Sequence, residues 1–102
     1  MNIAKTTLTS IIFLSLLFGC ARPIAEFTLP ASDTIAPVEI QFNNNSKKSE
    51  TYFWDFGDGN TSTEESPSHT YSSSGNYLIV LKAEKGNKSS TAEQRIQVKA
   101  PK

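Results

Sequence analysis

One cysteine and one histidine are all that the 102 residues contain, and those two scarcities exclude most enzyme chemistry. With Cys20 alone no disulfide can close within the chain, so apolar packing has to stabilise the fold without a covalent brace. With His69 alone a zinc site lacks both a second histidine and a spare cysteine. No elbow-type motif surrounds any serine, so a Ser-His-Asp arrangement has no starting point. Net charge is missing too. Ten basic and ten acidic side chains cancel, and the longest runs of one sign are the pairs Lys47-Lys48 and Glu64-Glu65. Nothing in that balance marks a nucleic-acid or polyanion binder. There is no internal repeat, heptad pattern or long low-complexity tract, and the length suffices for one domain.

What the chain does have is Trp54-Asp55-Phe56-Gly57-Asp58-Gly59. Tyr52, Trp54 and Phe56 alternate with Thr51, Phe53 and Asp55, the period of a strand with one buried face. Asp58-Gly59 then predicts a two-residue hairpin turn with positive backbone angles, flanked by Gly57 and Asn60. No helix start or phosphate-cradling loop follows, so the motif builds a scaffold rather than an active site.

The same alternation continues along the chain. Ala25 and Phe27 share one face of a first strand, and residues 30–37 form a loop. Val38, Ile40 and Phe42 face inward between Glu39, Gln41 and Asn43, in a strand ended by Asn43-Asn44-Asn45-Ser46. A polar stretch over 61–66 precedes a short strand at His69-Thr70-Tyr71, and residues 72–75 turn. Tyr77, Ile79, Leu81 and Ala83 carry the next inward face, Gly86-Asn87 turns, and Ile96 and Val98 close the last strand. Turn signals recur every eight to twelve residues or so, and no ten-residue window past the N-terminal segment has helical periodicity, which predicts an all-β sandwich of about seven strands.

The N-terminus is of a different kind. After Lys5, residues 8–18 form an apolar run broken only by Thr9, Ser10 and Ser15. That is too short for a bilayer core of ~30 Å, which needs about 20 residues, but it suits the core of a secretory signal. Leu17-Phe18-Gly19-Cys20 resembles the lipobox of bacterial lipoproteins, with Phe18 departing from the small residue usual there. The resemblance implies a signal peptide over 1–19, cleavage before Cys20, a diacylglycerol thioether on its sulfur and usually an acylated (palmitoylated) amine. A plain signal cleaved after a small residue is the competing expectation; it would leave an exported free thiol. Ala21, where an Asp would imply inner-membrane retention, implies the outer membrane in a two-membrane cell. Residues 20–23 are then a tether of at most roughly 15 Å, and 24–100 the domain. Removing 1–19 takes Lys5 from the ten basic side chains, leaving nine against ten acidic and a formal charge of −1.

The hexapeptide, followed by Pro67-Ser68-His69-Thr70-Tyr71 and then Gly75-Asn76-Tyr77-Leu78-Ile79-Val80-Leu81, resembles the PKD (polycystic kidney disease) domain over about residues 23–99. The resemblance implies an immunoglobulin-like antiparallel β-sandwich with Trp54 in its core. It also implies an extracytoplasmic module for protein or carbohydrate contacts, often beside a catalytic domain; here none is expected. Tyr77, near the start of the penultimate strand and two residues before Ile79, has the placement of a tyrosine corner.

The remaining expectations concern sites. His69 and Tyr71 share a strand face, and His69 is expected to be structural. Asp58 is expected to make the turn and Asp55 to accept backbone amide hydrogen bonds. Asp55 and Asp58, with Asn60 and the Asn43-Asn44-Asn45 run, also have the oxygen chemistry Ca²⁺ prefers, although the spacing is not an EF-hand loop, and no cofactor or metal is expected. With Trp54 and Phe56 inward, Phe53 points out; with Tyr77, Ile79 and Leu81 inward, so do Leu78 and Val80. Phe53, Leu78 and Val80, bordered by Glu93 and Arg95, would form one apolar patch of the kind that marks protein interfaces. The alternative is strand propensity with no partner behind it. Asn44, Asn60 and Asn87 begin N-glycosylation triplets, but that machinery belongs to a pathway the lipobox argues against. Asp33-Thr34-Ile35 resembles an O-glycan acceptor triplet too short to rely on. A membrane-anchored recognition or assembly module is the expected function; a carbohydrate-binding adhesion domain and a passive structural lipoprotein are the alternatives.

Overall fold

The computed structural model describes residues 22–30 and 34–102; the segment 1–19 and Cys20 lie outside the described residues. Eight strands follow in order: β1 (Phe27–Thr28), β2 (Val38–Gln41), β3 (Asn43–Asn44), β4 (Thr51–Asp55), β5 (Thr61–Ser62), β6 (Ser68–Tyr71), β7 (Gly75–Lys85) and β8 (Lys88–Val98). All eight pair antiparallel. One layer is the four-stranded sheet β5-β4-β7-β8. The other consists of the ladders β1-β3 and β2-β6, which join through Phe42, whose amide donates to the Pro67 carbonyl at 2.9 Å. Asn43 and Asn44 do not end the second strand as the sequence suggests. They continue it onto a new partner, pairing with Thr28 and Phe27. Asn44 is held there because its Nδ2 donates to the Glu65 carbonyl at 2.8 Å.

Alternation sets the core. Phe27, Ile40, Phe42, Trp54, Phe56, Tyr71, Ile79, Leu81, Ile96 and Val98 are buried between the layers. Trp54 is 0 % exposed. Its ring centroid lies 5.1 Å from Phe27, 5.3 Å from Phe42 and 6.3 Å from Phe56. Its indole Nε1 donates to the Glu64 carbonyl at 3.0 Å, so the buried polar atom is satisfied by the loop before β6. Tyr77 Oη donates to the Ser73 carbonyl at 2.7 Å, four residues upstream, which is the tyrosine corner. Residues 34–36 close one edge: Thr34 Oγ1 donates to the Gln97 carbonyl at 2.6 Å, and Ala36 N to that of Lys99 at 2.8 Å. Thr34 is buried, so its hydroxyl is committed to the fold rather than open to a glycan.

Candidate recognition site

The hairpin after β4 differs in detail from the expected two-residue turn. Phe56 N donates to the Asn60 carbonyl at 3.1 Å, so the loop has three residues, 57–59. The positive φ angles fall on Gly57 (82°) and Gly59 (93°), not on Asp58. Asp58 is held otherwise. Its Oδ1 accepts from the Asn60 amide at 3.1 Å, and its Oδ2 lies 2.7 Å from His69 Nε2. A carboxylate only accepts, so Nε2 carries the proton in that bond. His69 stacks on Phe56 at 4.1 Å and meets Tyr71 edge-on at 4.8 Å. The loop is thus tied from one sheet to β6 of the other.

Partial burial acts to raise the Asp58 pKa, but hydrogen bonds from His69 and Asn60 and the His69 charge outweigh it and hold the carboxyl below its ordinary value. Burial, followed by the nearby Asp58, Tyr77 and Asp55, pushes the Tyr71 phenol well above its ordinary range. Neutral Tyr71 donates to the Phe56 carbonyl at 2.8 Å. Asp55 Oδ1 accepts from Gly57 N at 2.9 Å, as expected of it. Among the described residues no three His, Cys, Asp or Glu side chains gather as a metal site. His69, Asp55 and Asp58 are engaged in holding a turn.

The outer face of the four-stranded sheet is less committed. Phe53 is 43 % exposed. Leu78 and Val80 point the same way and are half-buried. The register sets Phe53 opposite Lys82, Asp55 opposite Val80, Val80 opposite Glu93 and Leu78 opposite Arg95. Phe53 is therefore the diagonal neighbour of Val80, and the three apolar side chains form a slanting row rather than a block. Glu93 and Arg95 border it as the sequence suggests, while Asp55 and Lys82 interrupt it. The 57–59 loop closes its upper end: a Cβ on Gly57 would lie 2.5 Å from the Leu78 carbonyl oxygen. Beyond Phe53 runs a groove of about 550 Å³ lined by Glu50, Thr51, Tyr52, Phe53, Thr63, Glu65 and Glu84. The sequence reading missed those three carboxylates. Glu84 follows from the β4–β7 register, whereas the return of Glu65 depends on a loop with no local signal.

Two layers, a buried tryptophan and a tyrosine corner define an immunoglobulin-like β-sandwich module. The sequence matches the PKD domain family over residues 20–100, and the chain belongs to that family. Collagenase ColQ1 of Bacillus cereus (strain Q1) is 45 % identical over 94 residues, 79 % of this chain and 10 % of the collagenase. The crystal structure of the PKD1 domain from Vibrio cholerae metalloprotease PrtV is 31 % identical with a TM-score of 0.65. The match covers 76 % of this chain and 98 % of that domain, which stands alone as a crystallised unit of this extent. A structure of carbohydrate-binding modules from the β-sandwich superfamily is 29 % identical with a TM-score of 0.71, over 78 % of this chain and 35 % of that one. The chain spans a tenth or less of the length of the curated relatives named with it here, ColQ1 and PrtV.

Proposed function

We propose that this chain is an extracytoplasmic lipoprotein, held to its membrane through lipid on Cys20, whose PKD domain recognises a protein partner in envelope assembly and catalyses nothing. The observation that carries the recognition face is Phe53. It sits mid-sheet, 43 % exposed, in an apolar row with Leu78 and Val80 and within reach of charges of both signs. An exposed aromatic with a polar rim is the composition of an interface centre. His69 is occupied by Asp58 and Phe56, which supports binding over turnover.

A carbohydrate ligand is the second reading. The likeness to carbohydrate-binding modules favours it, as does the position of Phe53 beside a groove with Glu50, Glu65 and Glu84. A photo-crosslinking side chain at position 53, activated in intact envelopes, separates the readings. One protein captured at high yield supports the assembly module. Capture of glycan fragments alone moves the ligand to the groove, and no adduct of either kind leaves a passive structural lipoprotein.

A further inference from the structure

The end of the sandwich from which the chain leads back to Cys20 collects cations. Ile24 and Lys47 form an isolated antiparallel bridge, with N to O distances of 3.0 and 2.9 Å. Ala25 N donates to Ser90 Oγ at 3.1 Å, which brings the same segment beside the β7–β8 turn, where Lys85 and Lys88 stand opposite each other. Lys48 follows at φ 55°, a left-handed conformation in which a glycine or asparagine would be less strained. Arg22, Lys47, Lys48, Lys85 and Lys88 therefore share one end of the domain. Among the described residues none of the five is in an ion pair. Ile24, 49 % exposed, stands among them. The carboxylates at this end are Glu26, Glu50 and Glu84, and Glu84 is drawn to Lys82 at 3.5 Å.

We propose that this basic end is a seat for the anionic phospholipid headgroups of the membrane that holds the chain. The direction of the seat rests on the lipoprotein reading above. Cys20 is two residues before Arg22, so at most about 7 Å of backbone separates their Cα atoms, and a lipid on Cys20 brings this end to the bilayer. Each cation near an anionic surface raises affinity about five-fold. Acyl chains already supply retention, so the cations and Ile24 supply orientation. The strands rise from this end, and the Phe53 row then stands on the side of the domain, presented laterally.

The chain from Ala21 onward, which holds every strand and core residue found among the described residues, tests the seat without lipid. It is sedimented with vesicles of phosphatidylcholine alone or mixed with phosphatidylglycerol. The expected result is binding to the mixed vesicles only, lost as salt rises from about 0.05 to about 0.3 M. Lys47→Glu with Lys88→Glu is expected to weaken it at least ~10-fold. Lys99→Glu with Lys102→Glu, an equal change of net charge at the far end, is expected to leave it intact. Thermal melts check folding, and Lys47→Gln with Lys88→Gln replaces the first pair if that pair unfolds. No preference for anionic vesicles, or equal loss from both pairs, overturns the seat. Intact mass of the full chain from a bacterial envelope tests the anchor separately. A lipid adduct without vesicle preference removes the seat and keeps the anchor; vesicle preference without an adduct keeps the basic surface and removes the anchor.

Discussion

Trp54 and Phe53 are neighbours on β4 and lead opposite lives. Trp54 is fully enclosed by Phe27, Phe42 and Phe56, with its one polar atom hydrogen-bonded to the chain. Phe53 stands half in solvent, facing Lys82 and a groove walled by carboxylates. The inner face of the strand leaves no buried side-chain polar atom unsatisfied among the described residues, and its aromatics touch one another. The outer face carries an exposed aromatic in an apolar row, and beside it a single ion pair among the described residues, Lys82 with Glu84 at 3.5 Å. Stability therefore resides on the inner side of β4, the proposed recognition face lies on the other, and on that proposal substitutions on the two sides should separate cleanly.

The largest effect is expected at the centre of the inner face. Trp54→Ala should cost about 3–5 kcal/mol in urea or thermal unfolding, much of the stability of a domain this size. Gly57→Ala comes next, at about 2–4 kcal/mol, because it combines a positive φ with a Cβ placed 2.5 Å from the Leu78 carbonyl oxygen. Tyr71→Phe removes the donor to the buried Phe56 carbonyl and should cost about 1–3 kcal/mol. Acid should act through Asp58. Its folded pKa is depressed, so its contribution is complete above the unfolded carboxylate value of about 4 and is lost as pH falls through the lower folded value. Asp58→Asn should flatten that part of the stability–pH curve. The smallest stability effect is expected on the outer face, where Phe53→Glu should change unfolding free energy by no more than about 0.5 kcal/mol. A larger loss there would show that Phe53 belongs to the core.

Much of this division was legible in the sequence, and the particular residues show why. Trp54, Phe56, Ile79 and Leu81 fall on the period of two that a half-buried strand imposes, and burial follows directly. The tyrosine corner was readable from the spacing of Tyr77 and Ile79. Register was not. Whether Phe53 faces Val80 or Lys82 depends on where β4 stops sliding along β7, and that is decided by three-dimensional packing around the 57–59 loop. Cross-chain hydrogen bonds were equally hidden: Thr34 to Gln97 and Asn44 to Glu65 join residues far apart in sequence. The Asp58–His69 link lay between, since the sequence suggested that both are structural without showing that they hold each other.

The most direct test of the two-faced strand pairs melting with capture for one variant, Phe53→Glu with Leu78→Glu. Leu78 is chosen because its cross-strand neighbour is Arg95, which accommodates a carboxylate, whereas Val80 lies between Asp55 and Glu93. The native chain and the variant are crosslinked in intact envelopes, and the purified domains are melted side by side. The account predicts a native-like melt and loss of the captured partner. A collapsed melt, or a native-like melt with capture undiminished, would contradict it.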